Sequence, residues 1–185
     1  TPLSTFAGLF AADWSQGIWG FNLGELRPLV GFTYWLEYRL WGTTAFGYHL
    51  GNLAYHSMTL AGLYLFALES GRALVRATPP RAEATHASLA DHRMFWLHVN
   101  ATMGTALYLV HPAHVEAVAW IAGRTYLLGA AACFWSLYFL ARSWRTKSVA
   151  SSAAGVAVFI AGLFIKENVI VVPAAFAVFL LLTGD

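Results

Sequence analysis

At 185 residues, 58% hydrophobic and only 11% charged, the chain falls well below the roughly 25% charged residues of a typical soluble domain. That hydrophobicity excludes disorder, and a formal net charge of +2 without a basic stripe excludes a nucleic-acid binder. Cys133, alone in an apolar run, makes no intrachain disulfide and no multi-cysteine metal site, and reads as a small packing residue.

The N-terminal segment is interrupted by Asp13, Glu25, Arg27, Glu37 and Arg39, so it is not a span. No basic n-region followed by an apolar h-region marks a signal peptide. The segment is instead rich in Trp14, Trp19, Tyr34, Trp35, Tyr38 and Trp41, residues that favour the headgroup level of a bilayer. Pro28 suits a first helical turn, and Leu29, Phe32, Leu36 and Leu40 follow at helical spacing. A helix is expected from about Pro28 to Trp41, flat on the outer membrane surface and turning into the first span near Gly42. An ordinary packed amphipathic helix fits the same pattern.

Beyond Gly42 the charges leave five gaps, at 40–68, 94–115, 125–141, 148–165 and 168–184. A bilayer core about 30 Å thick needs roughly 17 to 25 apolar residues per helix, so each gap is long enough to span. The expected fold is all-α, a polytopic membrane bundle of about five transmembrane helices plus the N-terminal interfacial helix. It forms a single membrane domain over 1–185, with residues 1–42 as an extracytoplasmic loop and surface helix and 43–185 as the bundle. Both chain ends read as cuts through a larger protein.

Arg72, Arg76, Arg81 and Arg93 flank the Pro79-Pro80 break, and Arg142, Arg145 and Lys147 follow two spans later. Together they hold seven of the eleven Lys and Arg, which makes their side cytoplasmic. The opposite side then receives residues 1–42, the His111 to Arg124 segment and the Lys166-Glu167 turn. Within the spans, His49, Asn52 and His56 share one helix face, and His98, Thr102 and Thr105 another. Such faces serve interhelical hydrogen bonding or line a substrate cleft.

The strongest constellation is His111-Pro112-Ala113-His114-Val115-Glu116-Ala117-Val118, with Gly123-Arg124 downstream. Were the residues after Pro112 continuously helical, Glu116, Trp120 and Arg124 would share a face, with carboxylate and guanidinium about 12 Å apart. A cleft could then offer a carboxylate to one end of a substrate and a guanidinium to an anionic group at the other. His111, His114 and Glu116 lack the i, i+4 histidine pair of a helical zinc site, so no metal is assigned. Lys166 and Glu167 are the other outer charge pair, open to reading as a solvated hairpin turn.

Arg27-Pro28-Leu29, Phe46-Gly47-Tyr48-His49-Leu50 with Asn52 and His56, the HPAHVEAV run with Gly123-Arg124, and Lys166-Glu167 occur in that order. This series resembles the membrane half of the transmembrane and tetratricopeptide-repeat O-mannosyltransferases and their bacterial relatives, within the GT-C class of glycosyltransferases. The resemblance covers nearly the whole chain. It implies a fragment of a membrane enzyme that moves a sugar, mannose, from a polyprenyl-phosphate donor to a protein hydroxyl, with no other cofactor firmly implied. Protein acceptor, membrane lipid and lipid-linked sugar are the implied partners.

The family's main catalytic acid is expected upstream of this chain, and Asp13 matches a later part of the loop. Of the residues present, the resemblance and the implied mechanism nominate Glu116, His111 and His114 for catalysis or sugar positioning. Arg124, Lys166, Glu167, Arg27, His49 and Asn52 are nominated for substrate binding, with Arg124, Lys166 and Arg27 toward the lipid phosphate. Two alternatives stay open: a non-catalytic membrane anchor for attached repeats, and a transporter using His49, His56 and His98, though no internal repeat supports the latter. The Ala-rich, Arg-over-Lys composition leans toward a bacterial inner membrane over the endoplasmic reticulum.

Overall fold

A computed structural model describes residues 27–77 and 86–184. Asp13, the tryptophans at 14 and 19, Glu25 and the Pro79-Pro80 break lie outside the described residues. Among those described, every regular element is helical: α1 (Pro28–Trp41), α2 (Ala45–Ala77), α3 (His86–Val110), α4 (Ala113–Ala119), α5 (Arg124–Thr146), α6 (Val149–Leu163) and α7 (Val171–Thr183). Two 3-10 turns, Ile121–Gly123 and Glu167–Ile170, lead into α5 and α7.

Helix α5 is the centre, packed against α2, α6 and α7, while α3 lies on α2. Small residues make this closeness possible. Ala131, Ala132 and Ala141 of α5 are buried, and apolar side chains close around them in two clusters. Leu137, Val169 and Val172 join Ala132 in one, and Ala73 and Phe179 join Ala141 in the other. Polar side chains bind the helices to one another's backbones: Thr59 donates to the Leu127 carbonyl at 3.0 Å, Trp135 to Met58 at 3.0 Å and Ser136 to Gly155 at 2.9 Å.

The buried polar face of α2 is Asn52, His56 and Thr59, whereas His49 is exposed. Helical spacing allows either set, and the position of α5 selects the second. On α3, His98 is exposed and hydrogen-bonds the Tyr64 hydroxyl at 2.7 Å, Thr102 is exposed, and Thr105 donates to its own helix at Ala101.

Among the described residues, only α2 is by itself long and apolar enough to cross a membrane. Residues Ala113–Ala119 and Ile121–Thr146 pass together as a unit bent by 112°. Helix α6 has 15 residues and α7 has 13, or about 22 and 20 Å at 1.5 Å per residue, less than a 30 Å core. The difference from the expected five spans has a physical origin, since charge-free runs include capping and turn residues that are not helix. Ser148, for example, caps α6 by accepting from the Ser151 amide at 3.3 Å.

Helix α1 has the bounds its N-terminal proline predicts, but it faces the bundle with Val30 and Glu37, both buried. Leu36 and Leu40, expected on its apolar face, are 43% and 65% exposed. At the opposite end, buried Glu69 of α2 accepts from Arg145 of α5 at 2.5 and 3.1 Å and from Arg72 at 3.0 Å. Helices α2 and α5 therefore end on the same side.

Candidate functional site

The HPAHVEAV run builds a short helix and a break. His111 accepts a hydrogen bond from the Ala113 amide at 3.2 Å, capping the start of α4. Helix α4 stops at Ala119, and Trp120 is extended with φ −85° and ψ 122°. The chain then turns so sharply that a Cβ at Gly123 would overlap the Ala117 backbone. Glycine is required there because the two backbone stretches meet.

This break overturns the expectation that Glu116, Trp120 and Arg124 share one face. Arg124 is instead thrown inward, with 0% exposure. Its Nη2 lies 2.6 Å from Glu37 Oε2, Nη1 donates to the Thr33 hydroxyl at 3.3 Å, and Nε donates to the Ile121 carbonyl at 3.4 Å. The guanidinium carbon also sits 3.8 Å from the centroid of the Tyr34 ring, with the rings of Tyr48 and Tyr55 at 5.8 and 5.7 Å. Tyr55 donates to Glu37 Oε1 at 3.1 Å, and Tyr34 to the Ile121 carbonyl at 3.0 Å. Burial raises the Tyr34 phenol above its ordinary pKa, Arg124 pulls it back, and Glu37 adds to the rise. Gly51 completes the arrangement, since a Cβ there would overlap the Glu37 carboxylate.

Such a paired, stacked and fully buried arginine does not present its charge to a ligand. It clamps α1 onto the N-terminal ends of α2 and α5. Asn52, also 0% exposed, has a parallel role. Its amide donates to the Val118 and Trp120 carbonyls at 3.2 and 2.9 Å, holding the broken segment to α2. Both are nominated for substrate binding, and in this structure both are buried and engaged with protein groups.

Beside this clamp lies a cleft of about 390 Å³ lined by Tyr108, His114, Glu116, Trp120 and Tyr126 among others. Glu116 is exposed on α4. His114 stacks on Tyr108 with centroids 4.0 Å apart, with His56 at 5.8 Å and His111 at 5.7 Å behind it. Burial lowers the His114 pKa below the ordinary histidine value, and His111 adds to the shift, so the ring is neutral at pH 7. Lys166 is buried and does not itself line the cleft, but its ammonium lies 3.3 Å from the centroid of Tyr126, which does. Nearby in sequence, Glu167 is exposed and meets Arg27 Nη2 at 3.4 Å. Its pKa is held below the usual carboxylate range by a backbone hydrogen bond and by the Arg27 and Lys166 charges. His49 does not line the cleft. Among the described residues, no three His, Cys, Asp or Glu side chains are arranged to hold a metal.

A protein O-mannosyl-transferase of Caenorhabditis elegans, F38B6.6, is 34% identical to the chain over 122 residues, which is 65% of this chain and 15% of that protein. The chain is a relative of the transmembrane and tetratricopeptide-repeat O-mannosyltransferases. The protein O-mannosyl-transferase Tmtc3 of Drosophila melanogaster is 32% identical over 108 residues, 58% of this chain and 11% of that protein. The chain therefore spans only a small part of the length of these relatives. No family model and no solved structure matches it.

Glu37 is the residue that sequence reasoning missed. It was visible only as an interruption of an apolar segment, yet Val30, Tyr34 and Glu37 stand at i, i+4 and i+7. A buried acid facing a tyrosine-rich stretch of α2 is the signal that a cation would come from elsewhere in the chain.

Proposed function

We propose that this chain forms part of the outer active-site wall of an integral-membrane glycosyltransferase of the GT-C type. The enzyme transfers mannose from a polyprenyl-phosphate donor to a protein hydroxyl. The supporting observation is the cleft lined by Glu116, neutral His114 and Tyr126, with the Lys166 ammonium on the Tyr126 ring and Glu167, next to Lys166 in the chain, paired with Arg27. The relatives' names supply the sugar and the protein acceptor. In this reading residues 1–42 are extracytoplasmic loop and surface helix, and 43–185 form a bundle whose helices α2, α3, α5, α6 and α7 all lie within the bilayer. The basic ends at Arg72 and Arg145 face the cytoplasm, the inner membrane being bacterial on compositional grounds.

Each residue has a physical role. Glu116 orients an acceptor or sugar hydroxyl by accepting its hydrogen bond, and His114 does the same as a neutral ring. Lys166 and Arg27 meet the donor phosphate, stabilising the charge that grows on it as the glycosidic bond breaks. Arg27 can exchange the exposed Glu167 carboxylate for phosphate, whereas Arg124 cannot leave Glu37 without stranding a buried acid. Arg124, Glu37 and Asn52 are positioning residues that hold α1 and α4 around the cleft. His111 shapes the start of α4.

The test is sugar transfer from polyprenyl-phosphate mannose by the full-length protein in nanodiscs. Glu116→Gln and Lys166→Gln should each lose most of the transfer while leaving folding intact. Normal transfer by both would make the segment architectural, as in a non-catalytic anchor for attached repeats.

A further inference from the structure

We propose that the inner end of the bundle binds an anionic diacyl phospholipid, with its phosphate at Arg76 and Lys147 and its two acyl chains in the grooves to either side. This site rests on the membrane-spanning reading above. A cavity of about 230 Å³ opens between the ends of α2, α5 and α7, lined by Arg76, Arg145 and Lys147. Arg145 is neutralised by Glu69, which also takes Arg72. Among the described residues no carboxylate pairs with Arg76 or Lys147. Among the described residues the cavity therefore keeps two positive charges without a carboxylate partner.

Lys147 is placed there at a backbone cost. It ends α5 with φ 54°, among the described residues the one non-glycine in the left-handed region. Glycine ordinarily fills that position. Its ammonium lies 4.0 Å from the centroid of the Trp144 ring, which itself lines the cavity. A tryptophan at the end of a span marks headgroup depth.

Two grooves open from the same cavity. One, of about 420 Å³, runs past Leu74, Val178 and Leu182 and meets the cavity at Thr183. The other, of about 390 Å³, runs past Leu140 and Phe176 and meets it at Trp144 and Lys147. A free phosphate would use only the cavity, whereas a diacyl phospholipid fills all three spaces. Negative lipids of a cytoplasmic leaflet are the abundant ligands of this charge, and basic pockets between helices on that side recognise them.

The experiment incubates the purified protein with equal amounts of dioleoyl phosphatidylglycerol and dioleoyl phosphatidylcholine and measures retained lipid by native mass spectrometry. The wild type should enrich phosphatidylglycerol. Arg76→Gln and Lys147→Gly should each lower the enrichment about fivefold, the effect of one charge near a membrane surface. Lys147→Gly also relieves the left-handed backbone, so its loss of binding cannot come from misfolding. Val178→Trp, at a 54% exposed side chain in the first groove, should lower phosphatidylglycerol retention without removing any charge. Undiminished enrichment in the Arg76→Gln/Lys147→Gly double variant would overturn the site. So would displacement of the lipid by millimolar inorganic phosphate together with no effect of Val178→Trp. Protein that enters phosphatidylcholine vesicles yet shows no phosphatidylglycerol preference overturns this site alone. Protein that enters vesicles of neither lipid overturns the membrane-spanning reading with it.

Discussion

Two arginine–glutamate pairs stand at the α1 end of the bundle and behave as opposites. Arg124 and Glu37 lie 2.6 Å apart with side chains 0% and 7% exposed, inside a cage of Tyr34, Tyr48 and Tyr55. Arg27 and Glu167 lie 3.4 Å apart with side chains 11% and 73% exposed, so here the acid is in water. The first pair is worth much because breaking it strands a charge in a low-dielectric site, and the second is worth little because water screens it. Burial, not residue type, separates a clamp from a site that can exchange its acid for a ligand.

The sharpest way to break this contrast is Arg124→Ala. Loss of one partner of a buried pair costs about 3 to 5 kcal/mol, so the protein should melt far lower or fail to accumulate. Arg124→Met combined with Glu37→Leu should recover most of that stability, because no charge is left stranded. Thermal melting in detergent reads both variants, and a wild-type melting curve for Arg124→Ala would end the clamp interpretation.

Glu116→Gln comes next in size. Transfer by the full-length protein should fall on the order of 100-fold, as when one preorganised hydrogen-bonding group is lost, with melting unchanged because Glu116 is exposed. Stability falling in step with activity would move Glu116 to the architectural side of the comparison.

Arg27→Ala should cost less stability than Arg124→Ala, because its partner Glu167 is 73% exposed and is hydrated once the guanidinium is gone. Its effect should appear as a several-fold rise in KM for the lipid-linked donor. An equal loss of stability for Arg27→Ala and Arg124→Ala would erase the distinction between the two pairs.

The smallest effect is in pH. His114 has its pKa lowered by burial and by His111, so its neutral form contributes stability fully above the ordinary histidine pKa. That contribution is lost as pH falls through the lower folded value. The acid limb of activity should therefore lie below the usual histidine range. His114→Phe, which keeps the stack on Tyr108, should remove that limb, and a limb that persists unchanged would assign it to another group.

Much of this was readable in the residues themselves. The charge gaps mark helices α2, α3, α5, α6 and α7, Pro28 marks the start of α1, and the HPAHVEAV run marks the short helix α4. These features are local, because helix initiation and hydrophobic runs depend on neighbours within a few residues. What only the tertiary structure decided is how the polar residues divide. Glu37 and Arg124 are 87 positions apart, and their meeting depends on the break at Trp120 and on the close backbone approach at Gly123. A straight helix through Arg124, which periodicity alone suggests, would have put its guanidinium on the same face as Glu116, about 12 Å along the axis. The turn sends it into the protein instead, and burial then fixes its role, because the free energy of a charge depends on what surrounds it rather than on its place in the chain.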